Sequence, residues 1–124
     1  MYIKPTDAEL QILNFLWASG PSTVKDVHKH LAETKGVGYT TALKLMQIMH
    51  DKGLLYRTER GRSHIYVALL GKEETRQNLT SRLIQTAFQD SPSQLILQVL
   101  ENHTLSKEEH EQISIILSGL NSGA

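Results

Sequence analysis

At Leu54 the spacing of apolar residues switches from that of a helix to that of a strand, just past the end of a third helical segment. Upstream of the switch, Ala42, Leu45, Met46 and Met49 recur at i, i+3, i+4 and i+7, the inner stripe of a helix over residues 40–51 that stops at Gly53. Downstream, Leu54, Tyr56 and Thr58 alternate with Leu55, Arg57 and Glu59, while Ile65, Val67 and Leu69 alternate with His64, Tyr66 and Ala68. Between the two runs lies Arg60-Gly61-Arg62-Ser63, so the pattern predicts a β-hairpin on a tight glycine turn. Two shorter helical segments come first. Thr6-Asp7-Ala8-Glu9 is a T-x-x-E capping box opening a helix over residues 7–18, which Ser19-Gly20-Pro21 ends. A second helix starts at Ser22 or Thr23, carries Val24, Val27 and Leu31 on one stripe, and breaks at residues 34–38.

Three helices followed by a hairpin are the plan of a winged helix-turn-helix, expected here over residues 1–71. The third helix has an unusual outer face: Thr40, Thr41, Leu43, Lys44 and Gln47, with no acid before Asp51. A helix of about 12 residues is about 18 Å long and slim enough for the DNA major groove. Its entering end would present Tyr39, Thr40 and Thr41 to phosphates or base edges, with Lys44 and Gln47 further along and Gln47 suited to adenine. Arg57, Arg60 and Arg62 of the hairpin would lie over flanking phosphates or the minor groove.

The rest of the chain reads as three more helices. Residues 73–89 carry Leu79, Leu83, Ile84, Ala87 and Phe88; Ser91-Pro92 then supplies an N-cap and a first-turn proline for a segment with Leu95, Ile96, Leu97, Val99 and Leu100. Ser106-Lys107-Glu108-Glu109 is another capping box, leading into Ile113, Ile116, Leu117 and Leu120, and the tail at 121–124 is expected to fray. The middle helix is apolar on nearly every side, too much for a three-helix appendage over residues 72–124 to cover by itself. Pairing with a second copy covers it, which assigns Leu83, Phe88, Leu95, Ile96, Val99, Leu100, Ile113, Ile116, Leu117 and Leu120 to dimerisation. The expected fold is thus mainly α: a winged helix-turn-helix domain followed by a helical dimerisation domain.

Composition narrows the function. The 124 residues contain no cysteine, so neither a disulfide nor a thiolate metal site is available. The longest apolar run, residues 65–70, is far short of the ~18 residues of a membrane span, and no signal-peptide pattern opens the chain, pointing to a cytoplasmic protein that engages no membrane. The net charge of zero conceals a split: nine Lys/Arg against six Asp/Glu in residues 1–70, and four against seven in residues 71–124. A basic working half and an acidic assembly half follow. No nucleophile elbow or triad motif occurs, so no catalytic residue is assigned and the protein is expected not to be an enzyme. His28 and His30 stand at i, i+2 and point apart on a helix, and the other four histidines are scattered, so no metal ligand or cofactor is assigned either. Two alternatives stay open: a winged-helix protein-interaction module and a metal-responsive regulator.

Four stretches resemble the penicillinase-repressor family of bacterial winged-helix regulators: TDAELQILNFLW, YTTALKLMQIMHDKGLL, RTERGRSHIYVAL and SQLILQVLENHTLSKEEHEQI, in the family's order and spacing. The resemblance implies a homodimeric repressor bound to double-stranded DNA at an inverted-repeat promoter operator, often with TACA/TGTA half-sites. It places recognition-helix contacts on Thr40, Thr41, Leu43 and Lys44 and wing contacts on Arg60 and Arg62. This chain has Gly38-Tyr39-Thr40-Thr41 where members often have S-P-K-T, and Leu43 where they carry an arginine. An inactivating protease is a further partner the resemblance implies; Gln98-Val99 occupies the place of the Asn-Phe pair cut in protease-controlled relatives. The C-terminal cysteines of copper-responsive relatives have no counterpart here.

Overall fold

The structure, a computed structural model, describes residues 4–122. Its elements in order are α1 (Asp7–Ser19), α2 (Val24–Lys35), α3 (Tyr39–Asp51), β1 (Leu55–Arg60), β2 (Ser63–Ala68), α4 (Lys72–Thr86), α5 (Pro92–Asn102) and α6 (Lys107–Ser122). The chain divides into two compact units, the first running through Leu79 and the second starting at Thr80. This division falls inside α4, whose first turn carries the buried Thr75.

In the first unit, local chemistry sets the helix starts. Thr6 and Glu9 close one capping box and Thr23 and Asp26 another, each side chain bonding the other's backbone N–H. The core is built from the predicted stripes: Ile12, Leu13 and Leu16 of α1, Val24, Val27 and Leu31 of α2, and Ala42, Met46 and Met49 of α3. Leu45, expected in the inner stripe, is half-buried at its edge, and so is Leu43, expected outside. The indole N–H of Trp17 donates to the Leu70 carbonyl at 2.9 Å, tying α1 to the chain leaving the hairpin.

β1 and β2 pair antiparallel from Leu55 opposite Ala68 to Arg60 opposite Ser63, so Gly61 and Arg62 alone form the turn. Gly61, at φ 61°, takes the first central position, where a left-handed backbone suits the twist of the strands. The inward face holds Leu55 and Tyr66, each about 1% exposed. The more apolar set points the other way: Ile65 is half-buried, Val67 is 36% exposed and Leu69, just past β2, 56%. The face that turns inward is the one packed on the helical core, where Leu55 and Tyr66 join the α1, α2 and α3 stripes; at the edge of β2, Ser22 and Tyr66 exchange backbone hydrogen bonds of 3.0 and 2.8 Å, laying the lead-in to α2 beside the strand.

One ion pair ties the two ends of the helical bundle. Glu9 is 2% exposed; its Oε1 accepts from the Thr6 N–H at 2.9 Å and its Oε2 from Lys52 Nζ at 2.8 Å, just beyond α3. Burial pushes the Glu9 carboxyl up, but the Lys52 ammonium and the Thr6 N–H outweigh it and hold the group below the usual glutamate value. A lowered folded-state value stabilises the fold above the ordinary pKa of about 4.3, and that contribution disappears as the pH falls through the lower folded value. Lys52 is 41% exposed, which screens the pair, so its worth is about 1 kcal/mol. Urea midpoints of the wild type and Glu9→Gln should therefore differ at pH 7, and the difference should shrink as the pH falls below the ordinary glutamate range; a difference that does not change with pH contradicts the pairing.

In the second unit the helix predicted over residues 73–89 ends earlier. α4 stops at Thr86, and Gln89 (φ 48°) and Asp90 (φ 65°) adopt left-handed backbone in the turn that follows. Further on, Pro92 holds Ser91 out of the helical region, at φ −109° and ψ 100°, so no helix could run through it. Ser91 then caps α5, and Ser106 and Glu109 bond one another's backbone N–H ahead of α6, as the motifs predict. Asn121 and Ser122, expected to fray, continue α6, and residues 123 and 124 lie outside the described residues.

Candidate nucleic-acid interface

α3 starts differently from the two helices before it. Its N-cap is Gly38, which has no side chain to offer, and its first turn contains no acid. No capping side chain therefore claims the first N–H groups of α3, the arrangement that accepts an anion. Thr40, Thr41, Lys44 and Gln47 are all exposed, opposite the buried Ala42, Met46 and Met49. Ile48, which the sequence pattern did not single out, shares this outer face and is 39% exposed. Tyr39 is 48% exposed, with its ring edge-on to His28 of α2 at 5.6 Å.

The hairpin presents Arg60 and Arg62 at its exposed tip, whereas Arg57 is half-buried on the strand opposite Tyr66. Tyr39, Leu43 and Arg62 meet at one cleft of about 270 Å³, and Lys25, Ser63 and His64 line it as well. Those last three carry no signal in the sequence, because nothing local brings residue 25 next to residue 63. The histidines of α2 do point apart: His28 meets Tyr39, and His30 stacks on Phe15 at 5.0 Å. Among the described residues no three His, Cys, Asp or Glu side chains gather into a metal-binding group.

The second unit carries a different kind of surface. Not one described residue from 80 to 121 is buried. α5 and α6 instead form an apolar groove of about 440 Å³, into which Leu95, Ile96, Val99, Leu100, Ile113, Ile116, Leu117 and Leu120 project. Leu105 joins them, while Leu83 and Phe88, assigned to the same surface from sequence, do not line it. No described helix is long and apolar enough to cross a membrane.

Three helices, a two-stranded wing and an exposed, uncapped third helix define a winged helix-turn-helix protein. The penicillinase repressor family profile matches residues 5–119, and the chain belongs to that family, as its motifs imply. Members of the family are transcriptional regulators, not enzymes. The chain is 30% identical over 69 residues to the transcriptional regulator BlaI of Mycobacterium tuberculosis, a match covering 55% of this chain and only 50% of that protein. It is 23% identical over 112 residues to the penicillinase repressor of Bacillus licheniformis, covering 90% of this chain and 88% of the relative. Among solved structures, the DNA-binding domain of the repressor BlaI superposes with a TM-score of 0.53 at 24% identity, covering 60% of this chain and 93% of that one. A MarR family protein from Bacillus stearothermophilus gives 0.50 at 18% identity, covering 98% and 76%. At these identities the structural likeness is one of fold.

Proposed function

We propose that this protein is a cytoplasmic, homodimeric transcriptional repressor that grips an inverted-repeat promoter operator with α3 and the wing of each subunit. The observation that carries the reading is the outer face of α3: an open helix N-terminus followed by exposed Thr40, Thr41, Lys44 and Gln47, with Arg60 and Arg62 on the wing. Lys44 and Gln47 suit base edges, an exposed Ile48 suits a thymine methyl, and the arginines suit phosphates. The apolar groove of α5 and α6 takes the same elements of a second copy, so that two-fold protein meets two-fold DNA. An inactivating protease is the further partner: the Gln98–Val99 bond lies within α5, and Val99 lines the groove, so a cut there would dismantle the dimer surface.

The experiment is a titration of full-length protein with a duplex that the protein itself selects from a random pool, repeated over a range of salt. Sequence-selective binding with a steep inverse salt dependence is expected. Arg60→Ala/Arg62→Ala should lower the log–log salt slope by up to about 0.9 for each phosphate the wing no longer neutralises, almost equally for all sequences. Salt-insensitive binding, or no binding, would return the protein to the winged-helix interaction modules.

A further inference from the structure

We propose that the cleft between the start of α2, the start of α3 and the wing is a seat for a single phosphate group, with Lys25 and Arg62 as its two charges. Its polar lining is Thr23, Lys25, Tyr39, Arg62, Ser63 and His64, and no carboxylate lines it. Of the acids nearby, Asp26 feels the Lys25 ammonium but is taken up chiefly by Thr23, and neither it nor Glu59 lines the cleft. The Asp26 carboxylate accepts the Thr23 N–H at 3.1 Å, and Glu59 stands 3.9 Å from His64 Nε2 with its side chain 84% exposed. A small anion would therefore meet an ammonium from α2 and a guanidinium from the wing. Tyr39 and Ser63, two hydroxyl-bearing residues, line the same cleft. A tetrahedral phosphate, which accepts hydrogen bonds from several directions at once, fits such convergent donors better than a flat carboxylate does.

The frame is built before any ligand arrives. The reciprocal Ser22–Tyr66 backbone bonds lock the lead-in of α2 to β2, and Tyr66, 1% exposed, forms part of the cleft lining. Tyr39 is braced by the ring of His28. Lys25 and Arg62, distant in sequence, thus hang from hydrogen-bonded backbone, and an anion between them orders little besides their own side chains. Phosphate contacts position a protein on DNA without reading it. One phosphate shared by α2 and the wing would fix how α3 enters the groove. The seat rests on the proposed repressor function only for the source of its phosphate, which is a DNA phosphodiester or a free phosphorylated ligand.

The test uses full-length protein and the duplex it selects, with single neutral methylphosphonates walked along each strand at fixed salt. Wild type should lose affinity severalfold at one position per half-site, and Lys25→Gln, an exposed change that spares the fold, should be blind to that position. Lys25→Gln should also lower the salt slope by about 0.9 per subunit while leaving the operator-to-random ratio intact. In parallel, inorganic phosphate is titrated into DNA-free protein at constant ionic strength while the amide signals of Lys25, Ser63 and His64 are followed. Saturable shifts that vanish in Lys25→Gln, with DNA binding unchanged, assign the seat to a free phosphate. Loss of neither response in Lys25→Gln overturns the seat. A protein that selects no duplex overturns the repressor function instead, and the phosphate titration then decides the seat alone.

Discussion

Val99→Asp/Ile116→Asp should turn the protein into a monomer at micromolar concentration and weaken operator binding by roughly 10²–10⁴-fold. Both side chains line the α5–α6 groove and are 40% and 62% exposed. A unit in which no described residue from 80 to 121 is buried has no core of its own to stabilise it. Burying one such side chain fully in a partner contributes about 1.5–3 kcal/mol. Putting two carboxylates there, four in a symmetric pair, both removes that gain and adds desolvation of charge. The large loss on DNA comes from linkage, since the second half-site is bound at the high effective concentration that the first creates. Binding to a single half-site should change little, because the substitutions lie outside the first unit. Sedimentation and anisotropy titrations on one- and two-half-site duplexes measure both effects. Wild-type protein that sediments as a monomer, or a double variant that remains a dimer, contradicts the assignment.

Features set within a few residues were legible in the sequence. The capping boxes at Thr6 and Ser106 and the Ser91-Pro92 start of α5 each involve partners three residues apart or closer, and the helices begin where these residues place them, whereas at α2 the spacing left the start open between Ser22 and Thr23 and the Thr23–Asp26 box decides it. The α3 stripe and the two-residue turn at Gly61 belong to the same class. What escaped was set at a distance. Period alone could not say which face of the hairpin turns inward; that is set by the assembled core, in which Leu55 and Tyr66 pack with the stripes of α1, α2 and α3, and the backbone pairing of Ser22 with Tyr66 spans 44 positions of chain. The Glu9–Lys52 pair, buried on its carboxylate side, joins residues 43 apart and had no local signal. α4 ends at Thr86, and the left-handed backbone of Gln89 and Asp90 that follows had no signal in the helical period of residues 79–88. For the interface, the exposed α3 residues were readable from helical spacing. The cleft that adds Lys25 and His64 to Arg62 required the assembled fold.

Lys44→Ala should cost about 1–3 kcal/mol on the selected operator, a loss of roughly 5- to 150-fold, and far less on random duplex. Lys44 is exposed on the second turn of α3, on the side away from the buried Met46 and Met49. No ion pair claims it within the described residues, so removing it leaves no buried acid without a partner. Alanine is also the better helix former, and the change should move folding stability by no more than about 0.5 kcal/mol. An effect on DNA therefore reports on DNA. If the ammonium donates to a guanine edge, the operator loses that bond and random sequence does not. If it reaches only a phosphate, both duplexes lose the same factor and the salt slope drops by about 0.9 per subunit. A lysine that merely sits in solvent changes neither. Paired titrations at one fixed salt concentration, operator against scrambled duplex, separate these outcomes, and Gln47→Ala run alongside completes the comparison. Equal losses for Lys44→Ala on both duplexes, together with a selective loss for Gln47→Ala, would move base reading one turn along α3 and leave Lys44 as a backbone contact.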